Sequence, residues 1–498
     1  MGIVQKDAFR TMVISYSAMV LGYVNKVVLF LLIFSTPQIG LINLIIAVGF
    51  LFAQFANFGM LYAIWRFLPF FKNKEKSHNG ILPLVLLIAL AGVFLCSIGV
   101  IVLRPQIESV YAEKSPMIID YYYWILPIGI SVTFYQVLDV YLRGFYKNII
   151  SVIAFELVIR ILVSCLLAII AFDLISFDQF IVLHSLIYVV PAIILLMYLR
   201  GMGELNLRFS TIRIPKRFQK IMIQFSLFNY FNSMGATLVA SLDLIMIAQY
   251  IGLQATGVYS IVVFLVSALS LPSRSIVRVA SPLIADYWKH RKMDDMKGLY
   301  QNVSSVSLVI GLGLFTVVWL NIDFLFSFLN YEFKEGIWIF FFLMMGKLID
   351  MYFGVNGAIF TTSKKYKYDI FFTLFLIGAV FGLNYYFIPW WGAPGAAIST
   401  AMALIVYNVS RLIFVWTAFK IHPFHKNQFI VLGLGLITIF TGQFIGGFIS
   451  HEWLRVGAEC LLIGVLYIAP IYLFSLESQT VGMIKKGIRF IRERSNGK

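Results

Sequence analysis

The stretch "LQATGVYSIVVFLVSALSLPSRSIVRVASPLIADYWKHRK" (253–292) decides the fold. Small and apolar residues run from Thr256 to Ser273 and are then met by Arg274 and Arg278, four residues apart. Guanidinium groups stay protonated in any protein setting. A charge at the bilayer centre costs about 3 kcal/mol on insertion scales. The run is nevertheless long enough to cross about 30 Å of hydrocarbon as helix, and it ends in the basic cluster "WKHRK". It reads as a membrane span carrying two embedded cations.

The same layout occurs earlier, in "PQIGLINLIIAVGFLFAQFANFGMLYAIWRFLPFFKNKEK" (37–76). Aligning Gly40 with Gly257 gives an offset of 217 residues and brings Lys72 over Lys289. Six spans lie within that offset, so the two copies share one orientation. Repeated bundles are a common way to build transporters.

Working outward, 60% of the 498 residues are hydrophobic and only 12% are charged. Soluble domains are about half apolar and about a quarter charged. The excess is gathered into about fourteen runs of spanning length. Their approximate limits are 11–35, 39–65, 81–103, 118–142, 149–172, 178–199, 219–250, 255–286, 299–321, 336–360, 368–389, 394–418, 428–449 and 453–475.

Taking alternate connections, the set that includes both termini sums to +22 and the other set to −4. Lys and Arg mark the cytoplasmic face, so both termini are expected inside. The formal net charge of +16 is thus a topology signal, and no nucleic-acid partner is implied. The first apolar run is too long for a signal peptide. Lys6 stands where a myristoylation signal wants Ser or Thr.

Cys96, Cys165 and Cys460 lie inside apolar runs and read as buried free thiols. The "HPFH" at 422–425 does not read as a zinc site, because Pro423 lies within it, and no metal site is expected. Tyr121 to Trp124, and Trp390 with Trp391, fall at outer boundaries where aromatic belts occur. Val481, Ile484, Ile488 and Ile491 share one face of an amphipathic tail helix that carries Lys485, Lys486, Arg489 and Arg492.

The expected architecture is all-α integral membrane. It comprises a six-helix bundle (1–210), a second six-helix bundle (211–420), two extra spans (421–475) and a basic cytoplasmic tail (476–498). The segments 241–302 and 349–412 resemble bacterial polysaccharide-export flippases of the multidrug/oligosaccharidyl-lipid/polysaccharide exporter superfamily. The second segment includes "IDMYFGVNGAIFTTSKKYKYD" and "NYYFIPWWGAPGAAIST".

The resemblance implies a V-shaped pair of bundles that alternate between inward-open and outward-open states. It implies a substrate of sugars on undecaprenyl pyrophosphate, moved across the bacterial inner membrane. It also implies a cationic cavity with contributions from the first and eighth spans. Lys26 and Arg274 occupy those spans. Polysaccharide polymerase and chain-length machinery are the protein partners it suggests, besides membrane lipids.

Each charge inside the apolar runs has a functional and a structural reading. Lys26 sits centrally in span one and reads as a cavity cation. Arg274 is read the same way, since its planar fork suits phosphate oxygens; Arg278 is balanced between ligand and snorkel. Lys347 and Asp350 are spaced i,i+3, and Glu156 and Arg160 i,i+4, so both allow pairing on one helix. Lys347 is kept as a substrate cation, and Asp350 as a gating or coupling group.

Asp243 is expected protonated or paired, with gating or ion coupling as its role. Asn384 and Thr400 are candidates to join it in an oxygen-rich sodium site. Asp139, Asp286, Asp369 and Arg411 are expected at the inner interface. No cofactor is implied. With no Walker-type loop, the energy source is open between a Na+ or H+ gradient, membrane potential and downstream consumption.

A lipid II-type flippase or a multidrug cation antiporter of the same superfamily is the alternative. A drug-cation exporter wants an acidic cavity, and the deep charges here do not supply one. A membrane glycosyltransferase or polymerase needs catalytic residues on sizeable outer loops, which this chain lacks, so no catalytic residues are assigned.

Overall fold

The computed structural model describes residues 2–73, 77–212, 214–327, 331–474 and 476. The basic tail helix expected around 481–492 lies outside them. Among the described residues the structure is helical, with no strand. Among these residues, ten helices are long and apolar enough to cross a membrane, or twelve if each of two bent pairs is one span. In hydrocarbon every backbone polar group must be satisfied within its own segment, which leaves helix as the form these apolar runs can take.

The helices are α1 (Val13–Ile33), α2 (Thr36–Ala56), α3 (Met60–Phe71), α4 (Ile81–Val102) and α5 (Ile125–Arg143). Next come α6 (Asn148–Ala171), α7 (Phe177–Gly201), α8 (Lys216–Tyr250) and α9 (Leu253–Leu269). Then follow α10 (Leu271–His290), α11 (Met293–Leu320), α12 (Gly336–Tyr352) and α13 (Val355–Thr362). Last are α14 (Asp369–Phe419), α15 (Lys426–Gly446) and α16 (Glu452–Leu473). By packing, the chain divides into two compact units, Met1–Ile261 and Val262–Lys498. The division at 210/211 expected from the sequence counts spans, whereas this one follows contacts and falls inside α9.

In the first unit, α2 is the central helix. Its start is fixed by a capping box in which the Ser35 amide donates to Gln38 Oε1 at 2.9 Å. It interlocks with α5 through two glycines. Gly49 makes room for Ile128, and Gly129 for Phe52. The helix stops at Asn57, and Phe58 and Gly59 take left-handed φ values of 45° and 71°. α3 then packs into a core with Leu82, Val85, Leu138, Tyr141 and Leu195.

In the second unit, α9 and α10 meet at a 46° bend beside Ser270 and Pro272, so the stretch expected as one straight span is broken. Pro lacks the amide hydrogen that would continue the helix. A second bend, of 45°, separates α12 from α13 at Phe353–Gly354. α14 reverses at Gly392 (φ 63°, ψ −142°), between Pro389 and Pro394. A Cβ on Gly395 would lie 2.3 Å from the Phe387 carbonyl oxygen, so the returning arm needs glycine there.

That reversal brings Asp369 and Arg411 together, 2.8 Å apart and both buried. Arg411 also donates to Tyr407 Oη at 2.6 Å and lies over the Phe360 ring. Asp139 is likewise buried, held by Arg143 at 2.7 Å. Cys165 and Cys460 are exposed on their helices and Cys96 is half-buried, which corrects the expectation of buried thiols. In a membrane protein the apolar outer face meets lipid, so an apolar run does not place its thiols inside.

Removing one partner of a buried ion pair costs about 3–5 kcal/mol, while replacing both is far milder. Arg411→Met is therefore expected to lower the apparent Tm in detergent. The double variant Asp369→Asn/Arg411→Met is expected to recover most of the loss, as followed by thermal unfolding.

Candidate functional site

The first unit concentrates polar groups where α1, α2, α6 and α7 meet. Two of these helices carry a π-helical turn at that place, Val24–Leu29 in α1 and Ile153–Val158 in α6. Such single-turn widenings occur often at functional sites. Lys26 lies in the first of them, half-buried, and its Nζ donates to Asn43 Oδ1 of α2 at 2.8 Å. Asn43 is held in turn, its Nδ2 donating to the Ile39 carbonyl at 2.9 Å. Asn25, buried next to Lys26, donates to the Arg160 carbonyl at 2.9 Å and accepts from Ser164 Oγ at 2.8 Å. These bonds lock α1 against α6.

Arg160 is the residue that sequence reasoning missed. Its spacing from Glu156 suggested an intrahelical ion pair, but no such pair forms. The side chain instead crosses to α1. Its Nε and Cδ would lie 2.7 and 3.2 Å from a Cβ on Gly22, so the arginine occupies space that any larger residue would fill. The Arg160 Nη1 is buried and has no hydrogen-bond partner among the described residues. A buried unmade hydrogen bond costs about 1–3 kcal/mol, more for a charged group, and it calls for an explanation.

Gly22 is one helical turn from Lys26, and Arg160 acts electrostatically on Lys26. Lys26 in turn acts on His184 of α7, which is buried between Phe180 and Tyr188. The cluster therefore presents two cations and an imidazole, with the Glu156 carboxylate also acting electrostatically on Arg160. Chemically it suits an anion with several oxygens.

The remaining candidates fall elsewhere. Arg274 and Arg278 are exposed on α10, away from the buried Ser273, Ala280 and Ile284, and form no ion pair among the described residues. Lys347 is held by Asp350 at 2.6 Å, as the i,i+3 spacing allowed, and Asn408 Nδ2 reaches the same carboxylate at 3.5 Å. That pair carries no net charge. Asp243 is buried in the first unit and accepts from Tyr259 Oη of α9 at 2.5 Å. Asn384 and Thr400 are buried on the two arms of α14, in the second unit, so the three groups do not share one compact unit. No cluster of three or more His, Cys, Asp or Glu suited to a metal occurs among the described residues. His425 instead caps α15.

No family model matches the chain, and no curated protein sequence matches it. Solved structures do. The lipid II flippase MurJ, in an inward-closed conformation, superposes with a TM-score of 0.71 at 14% identity, covering 93% of this chain and 98% of that one. A multidrug resistance MATE family transporter of the MOP superfamily, inward-facing, gives 0.64 at 13% identity over 82% and 94%. A MOP superfamily transporter from Pyrococcus furiosus, whose binding pocket is described as reversed in polarity, gives 0.59 at 15% over 83% and 96%. The chain shares its all-α fold with these solved structures.

Because the Arg160 Nη1 is buried and has no hydrogen-bond partner among the described residues, Arg160→Gln is expected to raise the apparent Tm in detergent. Arg411→Gln, which breaks a buried pair, is expected to lower it. Parallel thermal melts compare the two.

Proposed function

We propose that this chain is a flippase for a lipid-linked oligosaccharide, moving a saccharide on a prenyl diphosphate across a bacterial inner membrane by alternating access. The observation that carries the reading is the cluster of Lys26 and Arg160 in the first unit, with the Arg160 Nη1 buried and lacking a hydrogen-bond partner among the described residues. Two fixed cations match the two charges of a diphosphate. Asn25, Asn43 and Ser164 are uncharged donors beside them. Arg274 and Arg278 are further cations, exposed on α10 of the second unit.

The likeness to a lipid II flippase supports this class of cargo, and lipid II transport is the alternative that differs only in the glycan. The likeness to MATE transporters supports a drug-cation antiporter less well, because cations repel cations. Both termini are placed on the cytoplasmic side by the basic loops. Coupling to Na+ or H+ is assigned to the second unit's Asp350 and to Asp243. A polysaccharide polymerase and its chain-length partners are the proteins that would consume the product.

The test is flipping in proteoliposomes with three cargoes: a prenyl-diphosphate oligosaccharide, lipid II and a cationic dye. The oligosaccharide is expected to move, and Lys26→Met or Arg160→Gln to slow it at least about tenfold, the equivalent of 1.4 kcal/mol. Movement of the dye alone, unaffected by both substitutions, would contradict the proposal.

A further inference from the structure

The two glycines that align the internal repeat are in contact with each other's helices. A Cβ on Gly40 would stand 2.1 Å from the Leu253 carbonyl oxygen, and one on Gly257 2.2 Å from the Thr36 carbonyl oxygen. Under the 217-residue offset, Thr36 corresponds to Leu253 and Gly40 to Gly257. The contact is therefore reciprocal: each glycine packs on the carbonyl four residues before its counterpart. Reciprocity of this kind marks a two-fold contact, here between α2 and the first turns of α9, both within the first unit.

The obstructing atoms are main chain, so no side-chain rotamer can relieve a substitution. Further bonds surround the crossing. Ser115 Oγ donates to the Ala248 carbonyl at 2.6 Å, and Tyr111 Oη to the Ile245 carbonyl at 3.1 Å. Tyr259 of α9 donates to Asp243 of α8, two residues beyond Gly257. Every one of these contacts lies beside the connections 36–38, 104–117 or 251–254, the set that lacks net basic charge.

Asn43, which holds Lys26, follows Gly40 by three residues on the same face of α2. The cation cluster thus sits about 5 Å along the helix from the crossing, by the 1.5 Å rise per residue.

We infer that the Gly40–Gly257 crossing is the outer gate of this protein: a main-chain seal that closes over the Lys26 cluster and must part for release on the side opposite the basic loops. Glycine is required at both positions because only backbone-to-backbone approach closes the seal. The hydrogen bonds of Tyr111 and Ser115 to α8 carbonyls brace the crossing from the side. The inference uses the proposed transport direction but not the identity of the cargo.

The test reads access directly. A cysteine at Asn43, in a background of Cys96→Ala, Cys165→Ala and Cys460→Ala, is labelled by a membrane-impermeant maleimide applied to the outer side of vesicles, with no substrate present. Gly40→Leu, Gly257→Leu and the pair Tyr111→Phe/Ser115→Ala are each expected to raise the labelling rate about fivefold or more by shifting the population open. Gly99→Leu, at a position with open space around it, is expected to leave it unchanged.

Transport, measured in proteins that keep Asn43, is expected to fall in the leucine variants. Unchanged labelling in all the gate variants would overturn the inference. If the leucine variants do not fold, the Tyr111→Phe/Ser115→Ala pair alone decides it. A gate that opens as expected in a protein that moves no lipid-linked sugar would instead count against the proposed cargo.

Discussion

A charge in hydrocarbon must be matched by a partner or by a polar ligand, and that constraint organises this molecule. Most of its intramembrane charges obey it locally. Lys347 and Asp350 pair within one helix, and Arg411 and Asp369 pair across the α14 reversal. Arg455 and Glu459 pair within α16, close to Gly446. The first two are neutral as units and serve packing, while Arg455 also meets Asp323 at 3.8 Å. The group around Lys26 departs from the rule, since the Arg160 side chain packs against Gly22 and makes no salt bridge with Glu156 among the described residues. Local stability is given up there, as is common where a site must receive something from outside.

Small residues decide where such exceptions can exist. Gly22 admits the Arg160 side chain between two helices. Gly40 and Gly257 let two backbones touch one turn away from Asn43. In membranes, without a hydrophobic force between helices, close approach through small residues is a main source of association. The same device thus admits the Arg160 side chain beside Lys26 and allows the close crossing of α2 and α9.

Much of this was legible beforehand. Run lengths and alternating loop charge gave the membrane class, and the offset from Gly40 to Gly257 gave a repeat whose two copies prove to touch at those residues. Lys26 was readable as a deep cation because no opposite charge lies a turn away on its helix. Arg160 was hidden by Glu156 at i,i+4, since one-dimensional spacing cannot show that Gly22 on another helix offers the side chain a different place. The Asp369–Arg411 pair was hidden for a related reason. Both residues lie near helix ends, and only the turn at Gly392 makes those ends meet. The two bends, beside Pro272 and at Phe353–Gly354, were not drawn from the sequence, because hydropathy alone makes each stretch one span.

The central claim is that Lys26 and Arg160 form one seat for a diphosphate. Binding of a short-chain prenyl-diphosphate saccharide to the purified full chain, compared with its monophosphate counterpart, tests this most directly. The account predicts tighter binding of the diphosphate, and a loss of at least about tenfold, or 1.4 kcal/mol, in Lys26→Met/Arg160→Gln. Equal affinity of the wild-type and doubly substituted proteins for the diphosphate would contradict it.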